Sequence, residues 1–472
     1  MTPEFLLDAA LVEEAESTAP ESTVQVWDAE LWETAADSVR ITRGVRADSA
    51  LVAVVGLSYA GLPTAMALRR AGVRVLGIDT SASRLHEIRS GQAEILDVAR
   101  GELRERLDDE DFVLSDRLER VREADSVLIC TPAILDAQRR PSLEALRRAC
   151  ATVVAHARAG QTFVLSASAF VGATHELLAE PLTRRGLRVG EDVFVAFSPE
   201  RLDPGVSEHE QPATVRLVGA VSERCFAHVA PLLEPICGSL ERVSSPEAAE
   251  MAKLYESTFR AVNIALAFEM ADACRLQRLD PVEVSAAAAT KPFGFMEHRP
   301  SAGVGGHGVG VDPYYLLHPL RERGRPAALV EEAMRTLAAR PGRVAMRAHE
   351  LLLGSGKRMR DARVLVVGAA YKPGVADCTG APSQEILSWL AAEGVQVEYH
   401  DPLVPMVRVD GEDLYSVDPD PRRDASGFGP EDYDLVIVVV MHPGHDYGWL
   451  RRCPEVLDCT YGEPTGRRCA VL

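Results

Sequence analysis

Residues 51–61 read LVAVVGLSYAG: an apolar run of strand length, a glycine, then a second glycine at the opening of a helix-favouring stretch. The arrangement is Gly56-x-Ser58-x-x-Gly61, and Asp79 closes the next apolar run, VRVLGID, 23 residues after Gly56. A strand turned into a helix through glycines lets backbone N–H groups and the positive end of the helix approach a pyrophosphate. A carboxylate at the tip of the following strand meets the adenosine ribose hydroxyls. This combination commits the first half of the chain to a parallel α/β sheet that binds a dinucleotide. Asp79 selects NAD over NADP, because a 2′-phosphate would meet a like charge, and Arg84 offsets that preference only slightly. The candidate cofactor contacts are Gly56, Leu57, Ser58, Tyr59, Ala60, Gly61, Asp79, Arg84, Thr131, Pro132 and Ser168. Ser58 replaces a glycine of the usual pattern and fits if its backbone angles tolerate a side chain.

The strand–helix rhythm continues through SVLICTP, TFVLSAS and VFVAFSPE, as in a doubly wound sheet. A long helix follows. Ser245 is suited to its N-cap, Pro246 to its first position and Glu247 to its first turn, and no breaker appears before about 277. A second α/β block opens at ARVLVVGAAYKP and runs through VQVEYHDP, YDLVIVVVMHP and EVLDCTYG. The expected division is an acidic N-terminal extension (1–48), an NAD-binding Rossmann domain (49–212), a central helical dimerisation domain (213–335) and a C-terminal Rossmann-like, substrate-binding domain (336–472).

Composition narrows the function classes. A formal charge of −19 disfavours a nucleic-acid or anionic-membrane surface. Nine cysteines without a CxxC pair point to reduced thiols rather than disulfides or a metal site. The N-terminus lacks the basic and apolar regions of a signal peptide, and no apolar run is long enough to span a membrane, so a cytoplasmic location is expected. Lysine and arginine total 51, yet only Lys253, Lys291, Lys357 and Lys372 are lysines. A chain that nearly always uses arginine for positive charge marks these four as candidates for a compact amine that can lose its proton.

The loop GGHGVGVDP at 305–313 carries His307 and Asp312 among four glycines. With GLSYAGLP, FSPERLDPG, EMAKLYESTFRAVNIALAFE, TKPFGFMEHRPSAGVGGHGVGVDPYYL and AYKPGVADCTGAPS, it makes the chain from about 51 to 462 resemble the UDP-glucose/GDP-mannose dehydrogenase family. That resemblance implies an NAD-binding N-terminal block, a long helix at a dimer core, and a C-terminal block holding a nucleotide. It also implies oxidation of a primary alcohol to a carboxylate in two hydride transfers, with a cysteine in the motif GGHCxPxDP forming a thioester between them. Here Gly308 stands in that cysteine's place. Ala133 and Ser166 replace a threonine and a glutamate of the family, Ser257 replaces an asparagine, and Thr379-Gly380 replace an Arg-Glu pair.

Lys253, with Ser257 four residues on along the helix, is the candidate general base; Asp312 and His307 complete the candidate catalytic set. Candidate substrate contacts are Glu200, Arg201, Arg260, Lys291, Phe293, Gly305 and Lys372. The losses together lead to the expectation of an NAD-dependent enzyme on a sugar nucleotide or nucleoside sugar that does not form the acid. Its expected course is transient oxidation of a hydroxyl, enabling net dehydration or epimerisation with NAD recycled. The alternatives are a two-electron dehydrogenase releasing an aldehyde or ketone, and a non-catalytic NAD- and sugar-binding relative. A homodimer is expected, with no metal, nucleic-acid or membrane partner.

Overall fold

A computed structural model describes residues 50–472 apart from 92, 94–96, 137, 202–214, 420–428 and 463–468. The expectation for residues 1–48 therefore lies outside the described residues.

The N-terminal block is an eight-stranded sheet. Its strands are β1 (Leu51–Val55), β2 (Arg74–Ile78), β3 (Phe112–Ser115), β4 (Ser126–Ile129), β5 (Thr162–Leu165), β6 (Phe194–Phe197), β7 (Val215–Ala220) and β8 (Ser239–Val243). In space they run β8-β7-β6-β5-β4-β1-β2-β3. Neighbours are parallel except β6 and β7. β1 reads LVAVV and is buried after its first residue, as in a parallel strand covered on both faces. Helices α1 (Gly61–Arg70) and α2 (Ala82–Arg89) make the first crossovers. Strand order reverses between β1 and β4, so the crevice beyond their carboxyl ends is the natural ligand site. The sheet extends to Val243, past the border expected at 212. β7 was hidden in the sequence because Arg216 interrupts its apolar run; the guanidinium is buried 3.2 Å from the Glu200 carboxylate.

Helix α3 (Pro246–Leu276) is the spine, about 46 Å long at 1.5 Å per residue. Ser245 Oγ accepts the Ala248 N–H at 3.3 Å, so the expected N-cap forms. α3 packs on α4 (Asp312–Glu322) and α5 (Ala328–Gly354). Buried Arg340 of α5 ties the layers together: it donates to Asp272 Oδ1 (2.9 Å), the Ser301 carbonyl (3.1 Å) and the Tyr461 hydroxyl (2.8 Å), and lies over the Phe268 ring.

The C-terminal block is a five-stranded parallel sheet, β10-β9-β11-β12-β13, built from β9 (Arg363–Val367), β10 (Gln396–His400), β11 (Leu435–Val438), β12 (Val456–Asp458) and β13 (Cys469–Val471). Its order reverses between β9 and β11, the second switch point. Residues beyond the ends of both sheets line one cleft, with α3 and the loop 299–309 between them.

Candidate active site

The cofactor cradle forms where β1 enters α1. Gly56 has φ +87°, and a Cβ there would lie 2.9 Å from the Cys130 carbonyl oxygen. A Cβ on Gly61 would stand 1.8 Å from the Gly56 carbonyl oxygen, so both positions require glycine. Ser58 is not among the residues with positive φ, which is why a side chain is tolerated there. Asp79 Oδ2 accepts the Leu57 N–H at 2.9 Å, and Arg84 Nε donates to the Leu57 carbonyl at 2.8 Å; together they brace the loop. Ala60 precedes α1, while Thr131 and Pro132 follow β4 on the far side of the switch point. Among the described residues, Ser58 Oγ and Thr131 Oγ1 are buried without a hydrogen-bond partner, polar atoms that a bound dinucleotide can satisfy. The cradle fits NAD.

The candidate base lies beside it. Lys253 and Ser257 share one face of α3 at i and i+4 spacing. Ser257 Oγ donates to Asp312 Oδ2 at 2.6 Å, and Lys253 Nζ stands 3.9 Å from the same oxygen. Asp312 opens α4, and its backbone N–H donates to the Gly308 carbonyl at 2.8 Å. Its side chain is fully buried. Burial pushes the carboxyl above its ordinary value, against the opposing pull of Lys253 and of the hydrogen bond from Ser257.

His307 stacks on Tyr59 of the cofactor loop, and its Nε2 lies 3.0 Å from Asp377 Oδ2. Gly305 lies flush against Tyr371 and Gly380, and the Gly306 N–H donates to the Thr379 carbonyl at 2.8 Å. The Thr379-Gly380 substitution thus forms part of the seat of this loop. Arg260, Arg299 and Lys372 line the cleft, which has a volume of about 560 Å³. Glu200 lines it too, already paired with Arg216. Arg201 is drawn away into a 2.8 Å pair with Glu256. Lys291 and Phe293 are exposed, the ammonium over the ring, and neither lines the cleft. Tyr371, Asp377 and Arg299 were missed in the sequence; Tyr371 adjoins Lys372 and Asp377 opens the DCTGAP segment, and those positions were the available signal. Among the described residues no cysteine lines the cleft. Cys130 is buried beneath the cradle, its thiol pushed up to about 12 chiefly by that burial. Among the described residues no cluster could hold a metal, and no helix is long and apolar enough to cross a membrane.

Comparison with known proteins places this geometry. Three sequence models of one family match in succession: the UDP-glucose/GDP-mannose dehydrogenase NAD-binding domain at 50–237, the central domain at 247–336 and the UDP-binding domain at 365–457. A UDP-N-acetyl-D-glucosamine 6-dehydrogenase of Pseudomonas aeruginosa is 31% identical over 396 residues, covering 83% of this chain and 90% of the relative. A UDP-N-acetyl-D-mannosamine dehydrogenase of Pyrococcus horikoshii is 32% identical over 356 residues, covering 75% and 84%. A solved structure of a UDP-D-ManNAc dehydrogenase from Pyrococcus horikoshii superposes with a TM-score of 0.76 at 28% identity, covering 89% of this chain and 98% of that one.

These relatives overturn the expectation that the chain stops short of the acid and performs net dehydration or epimerisation: they are sugar-nucleotide dehydrogenases. The physical reason is specific. Loss of the thiol at 308 removes covalent capture of the aldehyde, but hydride transfer needs only a cofactor cradle and a base; the cradle is present, with Lys253 beside it as the candidate base. The matched UDP-binding domain likewise favours a UDP-sugar over a nucleoside, despite the missing Arg-Glu pair. With NAD-binding, central and UDP-binding segments matched in order around one cleft, the chain belongs to the UDP-glucose/GDP-mannose dehydrogenase family and is an NAD-dependent oxidoreductase.

Proposed function

We propose that the protein is an NAD-dependent UDP-N-acetylhexosamine dehydrogenase that carries the sugar's hydroxymethyl group to a carboxylate. The observation that carries this reading is the meeting of Lys253, Ser257 and Asp312 beside the NAD cradle, at the end of a cleft reaching the UDP-binding block. Arg260, Arg299 and Lys372 supply positive charge for the diphosphate. Bound NAD supplies the hydride acceptor. Lys253 Nζ takes the proton of the sugar hydroxyl, and Asp312 steadies the ammonium that results. Tyr59 and His307 close the cofactor side of the cleft. The N-acetylhexosamine class is favoured by the relatives named for such sugars.

A homodimer is supported by α3, which exposes Met251, Tyr255, Phe259, Leu266 and Met270 along its length. A cytoplasmic location accords with the described cysteines, all free and mostly buried.

The test is to supply UDP-linked N-acetylglucosamine, N-acetylmannosamine and N-acetylgalactosamine with NAD, following NADH and product mass. One of them should yield two NADH and a product heavier by 14 Da. Failure of all three to reduce NAD overturns the reading.

A further inference from the structure

Position 308 is where a member of this family would be expected to carry its nucleophile, and nothing in the backbone requires it to be glycine. Gly308 is not among the glycines with positive φ. A Cβ built there would meet only Asp312 Oδ2 and Ser257 Oγ, each at 3.8 Å, an ordinary contact. Neither strain nor crowding demands the missing side chain. Its effect is to leave room directly against two polar oxygens and within the setting of Lys253.

Two further features bear on what fills that room. Among the described residues Asp312 Oδ1 is buried without a hydrogen-bond partner, so the carboxylate has acceptor capacity left after Ser257 has bonded to Oδ2. No cysteine among the described residues lines the cleft to substitute for the lost thiol. A space bounded by a carboxylate and a hydroxyl, with Lys253 Nζ 3.9 Å from the same carboxylate oxygen, offers the polar partners that hold a water molecule.

We propose that position 308 is a water site, and that the aldehyde formed in the first oxidation is hydrated there instead of being captured by a thiol. The proposal rests on the dehydrogenase reading above. Lys253 leaves the first oxidation as an ammonium, having taken the hydroxyl proton. The water oxygen then forms a bond to the aldehyde carbon while one proton of the water passes to the Asp312 carboxylate. The carbonyl π pair moves to the carbonyl oxygen, which takes its proton from Lys253. The product is a geminal diol that keeps its C–H bond, and Lys253 is again a neutral amine. The diol is an alcohol to the same residues, and a second NAD, the oxidant the activity already uses, takes it to the acid. The sum is RCH₂OH + H₂O + 2 NAD⁺ → RCOO⁻ + 2 NADH + 3 H⁺, with no covalent intermediate.

Hydration is redox-neutral and is measured without cofactor. The UDP-linked 6-aldehyde of the N-acetylhexosamine is incubated in ¹⁸O-water with the NAD-free protein, quenched by borohydride, and weighed. The protein should speed oxygen exchange roughly tenfold or more over buffer, in the range of acid–base assistance. Gly308→Ala places a methyl in ordinary contact with both oxygens and leaves no room for the water; it should abolish the acceleration, as should Asp312→Asn. UDP binding by calorimetry, retained in both variants, shows that they are folded. No acceleration by a protein that makes the acid from UDP-sugar and NAD overturns the water site and leaves the dehydrogenase reading standing. A sugar-mass adduct on the quenched protein does the same. Accelerated exchange by a protein that oxidises no UDP-sugar keeps the water site and removes the dehydrogenase reading.

Discussion

His307 and Asp377 join the two halves of the site: the imidazole Nε2 lies 3.0 Å from Asp377 Oδ2 while the ring stacks on Tyr59, centroids 4.1 Å apart. Tyr59 belongs to the cofactor loop and Asp377 to the C-terminal block, so one side chain in the intervening loop touches both. Breaking this link should loosen the closed cleft more than it harms the chemistry. His307→Ala is expected to raise KM for both NAD and the UDP-sugar severalfold, with a smaller fall in kcat, in steady-state kinetics.

The same pair has a pH signature. Burial pushes the Asp377 carboxyl up, but hydrogen bonds from His307 and Thr379 outweigh it and hold the group below its ordinary value. A depressed carboxyl contributes stability that is present above the unfolded value and lost as pH falls through the folded one. Urea unfolding should therefore show a loss below about pH 4 that Asp377→Asn removes, the difference being about 1 kcal/mol.

Asp312 has the opposite sign. Its carboxyl is raised by burial, so the folded chain holds that proton more tightly than the unfolded one. The stability it contributes is present below the ordinary carboxylate range and lost as pH rises through the elevated value. Asp312→Asn, with nearly the same shape, should be more stable than the parent at pH 8 and indistinguishable from it at low pH in thermal melts. Its kcat should fall by roughly 10²-fold or more. A variant that gains stability while losing activity would mark Asp312 as retained for chemistry rather than folding.

Lys253→Ala tests the base directly. Turnover should fall by roughly 10²–10⁴-fold while NAD affinity, measured by fluorescence titration, stays near that of the parent. Lys253 lies on α3 and not in the glycine turn that forms the cradle, so the two properties should separate. Small primary amines added to the variant should restore part of the rate.

How much of this could be read from residues alone varied with the range of the constraint. The cradle was legible because its demands are local: Gly56 and Gly61 are fixed by backbone atoms close at hand, and Asp79 closes the adjoining strand. The start of α3 was legible for the same reason, since Ser245 caps within one turn. Long-range pairings were not. The strand carrying Arg216 is legible only once Glu200 is seen 3.2 Å from the guanidinium, and the part played by Asp377 only once His307 is seen 3.0 Å from it. Arg201, Lys291 and Phe293 were chosen for their segments, yet an ion pair with Glu256 draws off the first and the other two face solvent. The expectation that no acid forms rested on the replacements at Ala133, Ser166, Ser257 and Gly308 together, and the sugar-nucleotide dehydrogenases matched over most of the chain overturn it.

Gly308→Cys offers the sharpest contrast with the parent. The backbone at 308 is not of the glycine-requiring kind, and a Cβ meets nothing closer than 3.8 Å, so the variant should fold. Its thiol would stand beside Asp312, Ser257 and Lys253, and the nearby ammonium favours the thiolate. Quenched during turnover with UDP-sugar and NAD, the variant should gain the mass of the sugar nucleotide on the introduced thiol by intact-protein mass spectrometry, and iodoacetamide should inactivate it. The parent should show neither adduct nor inactivation while still forming the acid, because water does at 308 what the thiol would otherwise do. An alkylation-sensitive parent would instead place a working nucleophile elsewhere in the cleft.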